Sequence, residues 1–284
     1  MTFLQAMFLA VLQGFSELFP ISSLGHTVLI PALLHWKIDL SDPTFLAFVV
    51  VLHLGTAVAL VVFYWSEWRG IVGAFVRSVV RGRFDGSADE KVAWLLVAGT
   101  VPAGLLGVFF ERQVRGLFAS PLPVTLFLVA NGLIMFLGEY LRRKQHAAEL
   151  QAYRALPAIT YVDAVKVGFA QSLALLPGIS RSGTSIVAGL LLGLSEGDAA
   201  RYSFLLATPI IFAAGIHEIA QQLSPAAHVA LFQAVLGGIL SAVTAYLSVA
   251  FLTKYFETND LRPFGWYCVI VGGVCFALFR LGIV

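Results

Sequence analysis

Six long apolar segments dominate the pattern of hydrophobic and polar positions along this chain. Each has few charges and runs for about 20 residues, the length that a helix needs to cross the hydrocarbon core of a bilayer. The pattern therefore predicts six membrane-spanning helices, at residues 44–64, 92–110, 122–141, 199–220, 229–252 and 264–282.

Two further apolar segments, residues 1–34 and 161–195, are each interrupted by proline, glycine and serine. A proline removes one backbone donor from a helix, and neighbouring glycine and serine favour a turn. We expect each segment to form a re-entrant hairpin, in which two short helices enter the membrane and return to the same side. Such a turn is tolerated at membrane depth only where it is buried in protein or lines a wet cavity.

The two hairpins divide the chain into similar halves, residues 1–141 and 160–284, each with one hairpin and three spans. Two spans separate the segments 65–91 and 142–166, which carry five Lys or Arg each and which the positive-inside rule assigns to the cytoplasm. The second half is then inverted relative to the first. In inverted repeats of this kind the broken helices meet near the middle of the membrane. We expect residues 65–91 to form a polar loop that is flexible or lies on the surface.

Composition supports this interpretation and excludes several others. Only 12% of the residues are charged, whereas about 25% are charged in a typical soluble domain. The fold class predicted is an all-α polytopic membrane protein that forms a single membrane domain, an inverted repeat of six transmembrane helices plus two re-entrant helical hairpins. We expect no nucleic-acid partner. Cys268 and Cys275, seven residues apart in the last span, are interpreted as small packing residues.

The first hairpin carries the sequence QGFSELFPISSLGH at residues 13–26. Gln13 and Glu17 are four residues apart and share one helix face, and Ser22, Ser23 and His26 follow within a short turn. Ionisable groups are costly at membrane depth, so they are candidates for function. Together these side chains can hold a cation, supply a nucleophile and move protons.

The second hairpin carries QSLALLPGISRSGTS at residues 171–185. An arginine forks onto phosphate oxygens, glycine lets the backbone approach a ligand, and a helix N-terminus offers unpaired N–H groups. This turn therefore predicts an anion site suited to a phosphate or diphosphate. Its candidate residues are Ser180, Arg181, Ser182, Gly183, Thr184 and Ser185.

A simpler interpretation is that Glu17 is a structural carboxylate paired with Arg181, but this leaves Ser23 and His26 unexplained. His53 lies within a predicted span. It either lines the cavity or serves as a hydrogen-bonding group between helices.

Both motifs resemble the two signatures of the bacitracin-resistance type of undecaprenyl-diphosphatase, a bacterial integral membrane phosphatase. The resemblance runs nearly end to end and includes LSEGDAARYSFLLATP after the second motif. It implies removal of one phosphate from undecaprenyl diphosphate, which recycles the lipid carrier for peptidoglycan synthesis. It also implies a location in the bacterial cytoplasmic (inner) membrane and bacitracin resistance on overproduction.

The resemblance implies catalytic roles for Glu17, Ser23, His26 and Arg181. We prefer Ser23 as nucleophile and His26 as proton carrier, with Glu17 holding a divalent cation, Mg²⁺ or Ca²⁺. Attack by a metal-activated water is the alternative. The residues expected to contact the substrate are Gln13, Ser22, Ser180, Ser182, Gly183, Thr184 and Ser185.

Two positions depart from the family pattern. Residue 13 is Gln, which is within the family's range but leaves Glu17 as the only carboxylate of the first motif. Ser185 stands where the family usually has Thr. A hydroxyl remains available there, from Ser185 or from Thr184.

The alternative function is an inverted-repeat transporter or flippase of a lipid phosphate or organic anion, because such carriers use the same broken helices. The cluster of Glu17, Ser23 and His26 favours an enzyme, since a carrier has less need of a nucleophile beside a proton shuttle. The expected partners are a polyprenyl diphosphate substrate and membrane lipid, and the fold is compatible with a homodimer. The external entry of the first hairpin predicts access from the periplasmic face.

Overall fold

The computed structural model describes residues 1–40, 42–110, 113, 117, 120–149, 153–222 and 228–284, with the backbone alone for 146–149, 218–222 and 228–231. Within these residues there is no strand, and eleven α-helices account for most of the chain. They are α1 (Phe3–Ser16), α2 (Ser23–Leu33), α3 (Pro43–Phe63), α4 (Trp65–Arg81), α5 (Ala88–Phe109), α6 (Pro121–Glu149), α7 (Tyr161–Ser172), α8 (Arg181–Leu191), α9 (Glu196–Gln222), α10 (His228–Tyr255) and α11 (Arg262–Arg280).

Six of these helices, α3, α5, α6, α9, α10 and α11, are long and apolar enough to cross a membrane. They correspond to the six predicted spans, so the chain is an all-α polytopic membrane protein. Some helices extend beyond the predicted limits: α5 begins at Ala88 and α6 continues to Glu149. The predicted limits follow the apolar stretch that would lie within the bilayer, whereas the helix itself begins and ends at its capping residues. Ser87, which accepts a hydrogen bond from the Glu90 N–H at 3.4 Å, is the cap that starts α5.

The two predicted hairpins are the short helix pairs α1–α2 and α7–α8, and the two pairs are built alike. A threonine capping box opens the first helix of each, at Thr2 and at Thr160. A serine caps the second helix: Ser22 Oγ accepts from the Gly25 N–H at 3.2 Å, and Ser180 Oγ accepts from the Gly183 N–H at 3.1 Å. Three spanning helices follow each pair. The division of the chain at residues 141 and 160 stays a prediction.

The prediction of a polar loop over residues 65–91 is wrong for most of that segment, because Trp65–Arg81 forms the helix α4. The segment is polar overall, but its buried positions recur at the spacing of a helix. Ile71, Ala74 and Ser78 are buried on one face, and α4 packs against α5, whereas Val72 and Val80 are exposed.

Each hairpin packs its first helix on a span of the other half: α1 lies against α10, and α7 lies against α5. A glycine permits each close approach. A Cβ atom at Gly14 would overlap the carbonyl oxygen of Ser241, and one at Gly168 would overlap the carbonyl oxygen of Gly99. Small residues allow helices in membranes to approach this closely, and here they let both hairpins pack tightly on their spans.

We expect Gly14→Ala to destabilise the protein by about 1–3 kcal/mol, the typical cost of overpacking a well-packed core. The matched control is Gly104→Ala in α5, where a new Cβ would have its nearest neighbour, Ile210 Cδ1, at 4.0 Å. Alanine is favoured over glycine in a helix, so this variant should unfold at the wild-type temperature or above it. Thermal unfolding in detergent measures both, and equal unfolding temperatures for the two variants would contradict the proposed close crossing.

Candidate active site

The turns of the two hairpins meet inside the protein. Ser22 Oγ accepts a hydrogen bond from the Gly178 N–H at 3.2 Å, and Ser182 Oγ donates to the carbonyl of Phe19 at 3.2 Å. Both residues of the first contact have left-handed backbone, with φ of +69° at Ser22 and +112° at Gly178. Ser22 is not a glycine, so this conformation is uncommon and its surroundings must hold it.

Asn131 of α6 hydrogen-bonds to the same two turns. Its Nδ2 donates to the carbonyl of Pro20 at 2.9 Å, and its Oδ1 accepts from the Ser180 N–H at 3.0 Å. The side chain is completely buried. Asn131 belongs to neither of the two sequence motifs. The available signal was a lone amide in an apolar span, since buried polar groups need partners.

Glu17 lies at the centre of the site, directly after α1. Its Oε2 accepts hydrogen bonds from Ser23 Oγ at 2.6 Å and from Gln13 Nε2 at 3.0 Å. Its Oε1 accepts from Arg181 Nη2 at 3.1 Å. The structure thus brings together four of the predicted site residues, from both motifs. The hydrogen of Ser23 points to the carboxylate, which leaves lone pairs of Oγ for an electrophile.

Arg181 is the first residue of α8, and much of its hydrogen-bonding capacity is unused. Besides the bond to Glu17, Nη1 donates to the carbonyl of Ser203 at 3.4 Å. The Nε–H is buried and has no partner among the described residues. A guanidinium has five N–H donors, and a buried donor without a partner is costly. An anion placed beside Glu17 would satisfy it.

His53 of α3 also contacts Glu17, and this contact fits both roles left open from the sequence. Its Nε2 lies 3.4 Å from Glu17 Oε2. Its Nδ1 lies 2.8 Å from the carbonyl of Val49, and because a carbonyl only accepts, Nδ1 carries a hydrogen.

His26 lies to one side of this cluster. Its Nδ1 is 2.7 Å from the carbonyl of Ser22, and its Nε2 is 2.7 Å from the hydroxyl of Tyr267. Among the described residues it makes no hydrogen bond to Ser23 or to Glu17. The geometry therefore offers Glu17 as the nearest acceptor for the Ser23 proton, and the role of His26 as proton carrier stays a prediction.

The hydroxyls of the second motif point mainly to backbone. Ser180 Oγ caps Gly183 and lies 3.0 Å from Ser182 Oγ. Thr184 Oγ1 donates to the carbonyl of Ser180 at 3.0 Å, and Ser185 Oγ donates to that of Arg181 at 2.7 Å. Both hydroxyl hydrogens are used in this way, which leaves Arg181 as the main side-chain donor for an anion.

A cation at this site would have oxygen ligands but not a closed cage. No group of three or more His, Cys, Asp or Glu that could hold a metal occurs in the described part of the chain. The amide nitrogen of Gln13 faces Glu17, and its Oε1 is buried without a partner in that part. Mg²⁺ is often held by one or two protein oxygens together with substrate phosphates. Glu17 fits an ion shared with a diphosphate in this way, and the metal stays a prediction.

Comparison with known proteins gives matches along the whole chain. The family model described as "Bacitracin resistance protein BacA" matches residues 6–274. "Undecaprenyl-diphosphatase 2" of Chromobacterium violaceum is 46% identical over 99% of this chain and 100% of its own length. "Undecaprenyl-diphosphatase" of Mycolicibacterium paratuberculosis is 45% identical, over 96% of each chain. "Undecaprenyl-diphosphatase 2" of Frankia alni is 40% identical, over 99% of each chain.

Proposed function

Because the chain belongs to the bacitracin resistance protein BacA family, we propose that it is an integral membrane phosphatase that hydrolyses undecaprenyl diphosphate to undecaprenyl phosphate and inorganic phosphate. The observation that carries this proposal is the hydrogen bond of 2.6 Å from Ser23 to Glu17, next to the guanidinium of Arg181. The groups that we propose as nucleophile, base and phosphate-binding group lie within one buried cluster.

In the proposed reaction, Arg181 binds the terminal phosphate and stabilises the charge that develops on its oxygens. Ser23 Oγ attacks the terminal phosphorus while its proton moves to Glu17 Oε2. The bond from that phosphorus to the bridging oxygen breaks, and undecaprenyl phosphate leaves. Water then attacks the phosphorus of the phosphoserine, and the bond from that phosphorus to Ser23 Oγ breaks. Inorganic phosphate leaves with both protons of the water, and Glu17 returns its proton to Ser23 Oγ. A divalent cation held by Glu17 would supply further positive charge to the diphosphate when bound.

Apolar surface next to Glu17 supports a lipid substrate. Phe15 stacks on Phe19 with ring centroids 4.2 Å apart, and Phe19 stacks on Phe251 at 5.9 Å. Phe15 and Phe251 are 45% and 55% exposed, so they face the space that the bilayer would fill. A prenyl tail can therefore remain in lipid while its diphosphate enters the polar cluster.

The proposed location is the cytoplasmic (inner) membrane, with the site open to the periplasmic face. Ion pairs support this orientation because they tie both predicted basic segments to the start of α9: Arg142 of the second segment pairs with Glu196 at 2.8 Å, and Glu67 of the first pairs with Arg201 at 2.8 Å. The positive-inside rule assigns that end of α9 to the cytoplasm. In that position the enzyme would recycle the lipid carrier for peptidoglycan synthesis, and overproduction would confer the bacitracin resistance that the family name implies. A homodimer stays a prediction.

Phosphate release from a long-chain prenyl diphosphate by the purified protein in detergent tests the proposal. We expect release that requires Mg²⁺ or Ca²⁺ and that Glu17→Gln abolishes. The matched control is Glu67→Gln on α4, which removes an ion pair to Arg201 outside the site and should leave release unchanged. No release from folded wild-type protein, across cations and pH values, would instead favour the transporter.

A further inference from the structure

Tyr267 of α11 reaches the first motif across 241 residues of sequence. Its hydroxyl lies 2.7 Å from His26 Nε2. The two rings also stack, with centroids 5.7 Å apart and an angle of 18° between their planes. Nothing in the sequence singled this tyrosine out among the aromatic residues of the last span.

The hydrogen bonds of His26 define its tautomer. Nδ1 lies 2.7 Å from the carbonyl of Ser22, which only accepts, so Nδ1 carries a hydrogen. In the neutral ring Nε2 is then an acceptor, and the Tyr267 hydroxyl donates to it. If the ring gains a second proton, Nε2 becomes a donor and the phenol oxygen accepts. Because a hydroxyl can do both, Tyr267 holds the ring in one orientation in either state.

The contacts that begin at Tyr267 lead through His26 and Ser22 to Ser23, the proposed nucleophile. His26 binds the carbonyl of Ser22, the residue with positive φ that directly precedes Ser23. Ser22 also accepts the Gly178 N–H of the second turn. The orientation of the His26 ring therefore affects the position of the Ser22 backbone, and through it the direction in which Ser23 Oγ points towards Glu17. His26 is only 4% exposed, whereas Tyr267 is 38% exposed and contacts it from the outer side.

We propose that Tyr267 is a positioning residue of the phosphatase reaction, which acts through His26 and the Ser22 carbonyl to hold Ser23 in the geometry for attack. This inference rests on the proposed function and adds to it a residue outside both motifs. Tyr267 itself contacts neither the diphosphate nor the reacting atoms.

Tyr267→Phe removes the hydroxyl and keeps the ring that stacks on His26. We expect kcat for a long-chain prenyl diphosphate to fall about tenfold, with KM within about twofold of wild type, because misalignment affects the chemical step rather than binding. The matched control is Tyr246→Phe on α10, a half-exposed tyrosine whose ring contacts Phe63. It should retain the wild-type kcat. Unchanged kcat in Tyr267→Phe would overturn the inference.

A double-mutant cycle with His26→Gln tests whether Tyr267 acts through the imidazole. Residues that act as one unit are not additive. We therefore expect Tyr267→Phe to cost about tenfold in the wild-type background and less than about twofold when His26 is already Gln. The same tenfold loss in both backgrounds would show that the two residues act independently, and would overturn the proposal.

A nitrogen NMR spectrum of the protein labelled with ¹⁵N-histidine gives a readout that is independent of turnover. The His26 signals are identified by their loss in His26→Gln. We expect the spectrum of an Nδ1–H tautomer, with the Nε2 resonance shifted in Tyr267→Phe and unchanged in Tyr246→Phe. An unshifted Nε2 resonance would overturn the contact itself. Absence of phosphate release by the wild-type protein would overturn the proposed function and with it the role in catalysis, whereas normal kcat in an active Tyr267→Phe overturns the positioning role alone.

Discussion

Replacing Ser23 with alanine should lower kcat for prenyl diphosphate by at least about 10³-fold, because the variant lacks the proposed nucleophile. The serine hydroxyl is the only part of the side chain lost, and its partner Glu17 Oε2 keeps a donor in Gln13. We therefore expect the protein to fold and to bind the substrate with little change in KM. Steady-state phosphate release measures both constants, and rapid quenching should find a phosphorylated protein in wild type and none in the variant.

The matched control for this prediction is Ser172→Ala. Ser172 is also a buried serine of a hairpin, but its Oγ donates to the carbonyl of Gly168 at 2.8 Å within its own helix. Loss of such a bond leaves kcat near its wild-type value. If Ser23→Ala turned over at a rate close to that of Ser172→Ala, direct attack by water would replace the serine mechanism.

Arg181→Ala should lower kcat/KM by about 10²–10³-fold, the usual effect of losing one donor that stabilises transition-state charge. It should also destabilise the protein, because Glu17 loses a charged partner at 3.1 Å in a buried site. Removal of one partner from a buried ion pair costs about 3–5 kcal/mol. Phosphate release and thermal unfolding on the same samples separate the two effects.

Two further arginine variants make the test specific. Arg181→Lys keeps the charge but loses the planar fork, so we expect it to recover stability and only part of the activity. Arg143→Ala removes an exposed arginine that pairs with Asp260 at the end of the bundle, and it should behave as wild type. Full activity in Arg181→Ala, with phosphate still released, would remove Arg181 from the mechanism.

Much of the fold follows from local properties of the sequence. The spans are predictable because their apolar length matches the thickness of a bilayer. The hairpins are predictable because Pro20 and Pro177 interrupt apolar helices next to serine and glycine. The meeting of Glu17 and Arg181 also follows, since two opposite charges in apolar surroundings need each other.

Other parts of the site depend on contacts that no local pattern contains. Three residues of the site lie in spanning helices, outside both motifs: Asn131, His53 and Tyr267. The sequence indicates that each needs a polar partner, but the partner comes from a distant segment and is fixed only when the helices pack. The position of His26 differs from expectation for the same reason, since Tyr267 and the Ser22 carbonyl occupy both of its nitrogens.

The ion pair between Glu17 and Arg181 should weaken the binding of soluble anions at the site. With Glu17 at 3.1 Å, Arg181 already has its countercharge before any substrate arrives. A small monophosphate must bind beside that carboxylate, which repels it, and has no lipid tail to concentrate it at the membrane. A prenyl diphosphate is confined to the bilayer, which raises its effective concentration at the site. Inorganic phosphate should therefore be a weak product inhibitor, and the enzyme should continue to turn over where soluble phosphate is abundant.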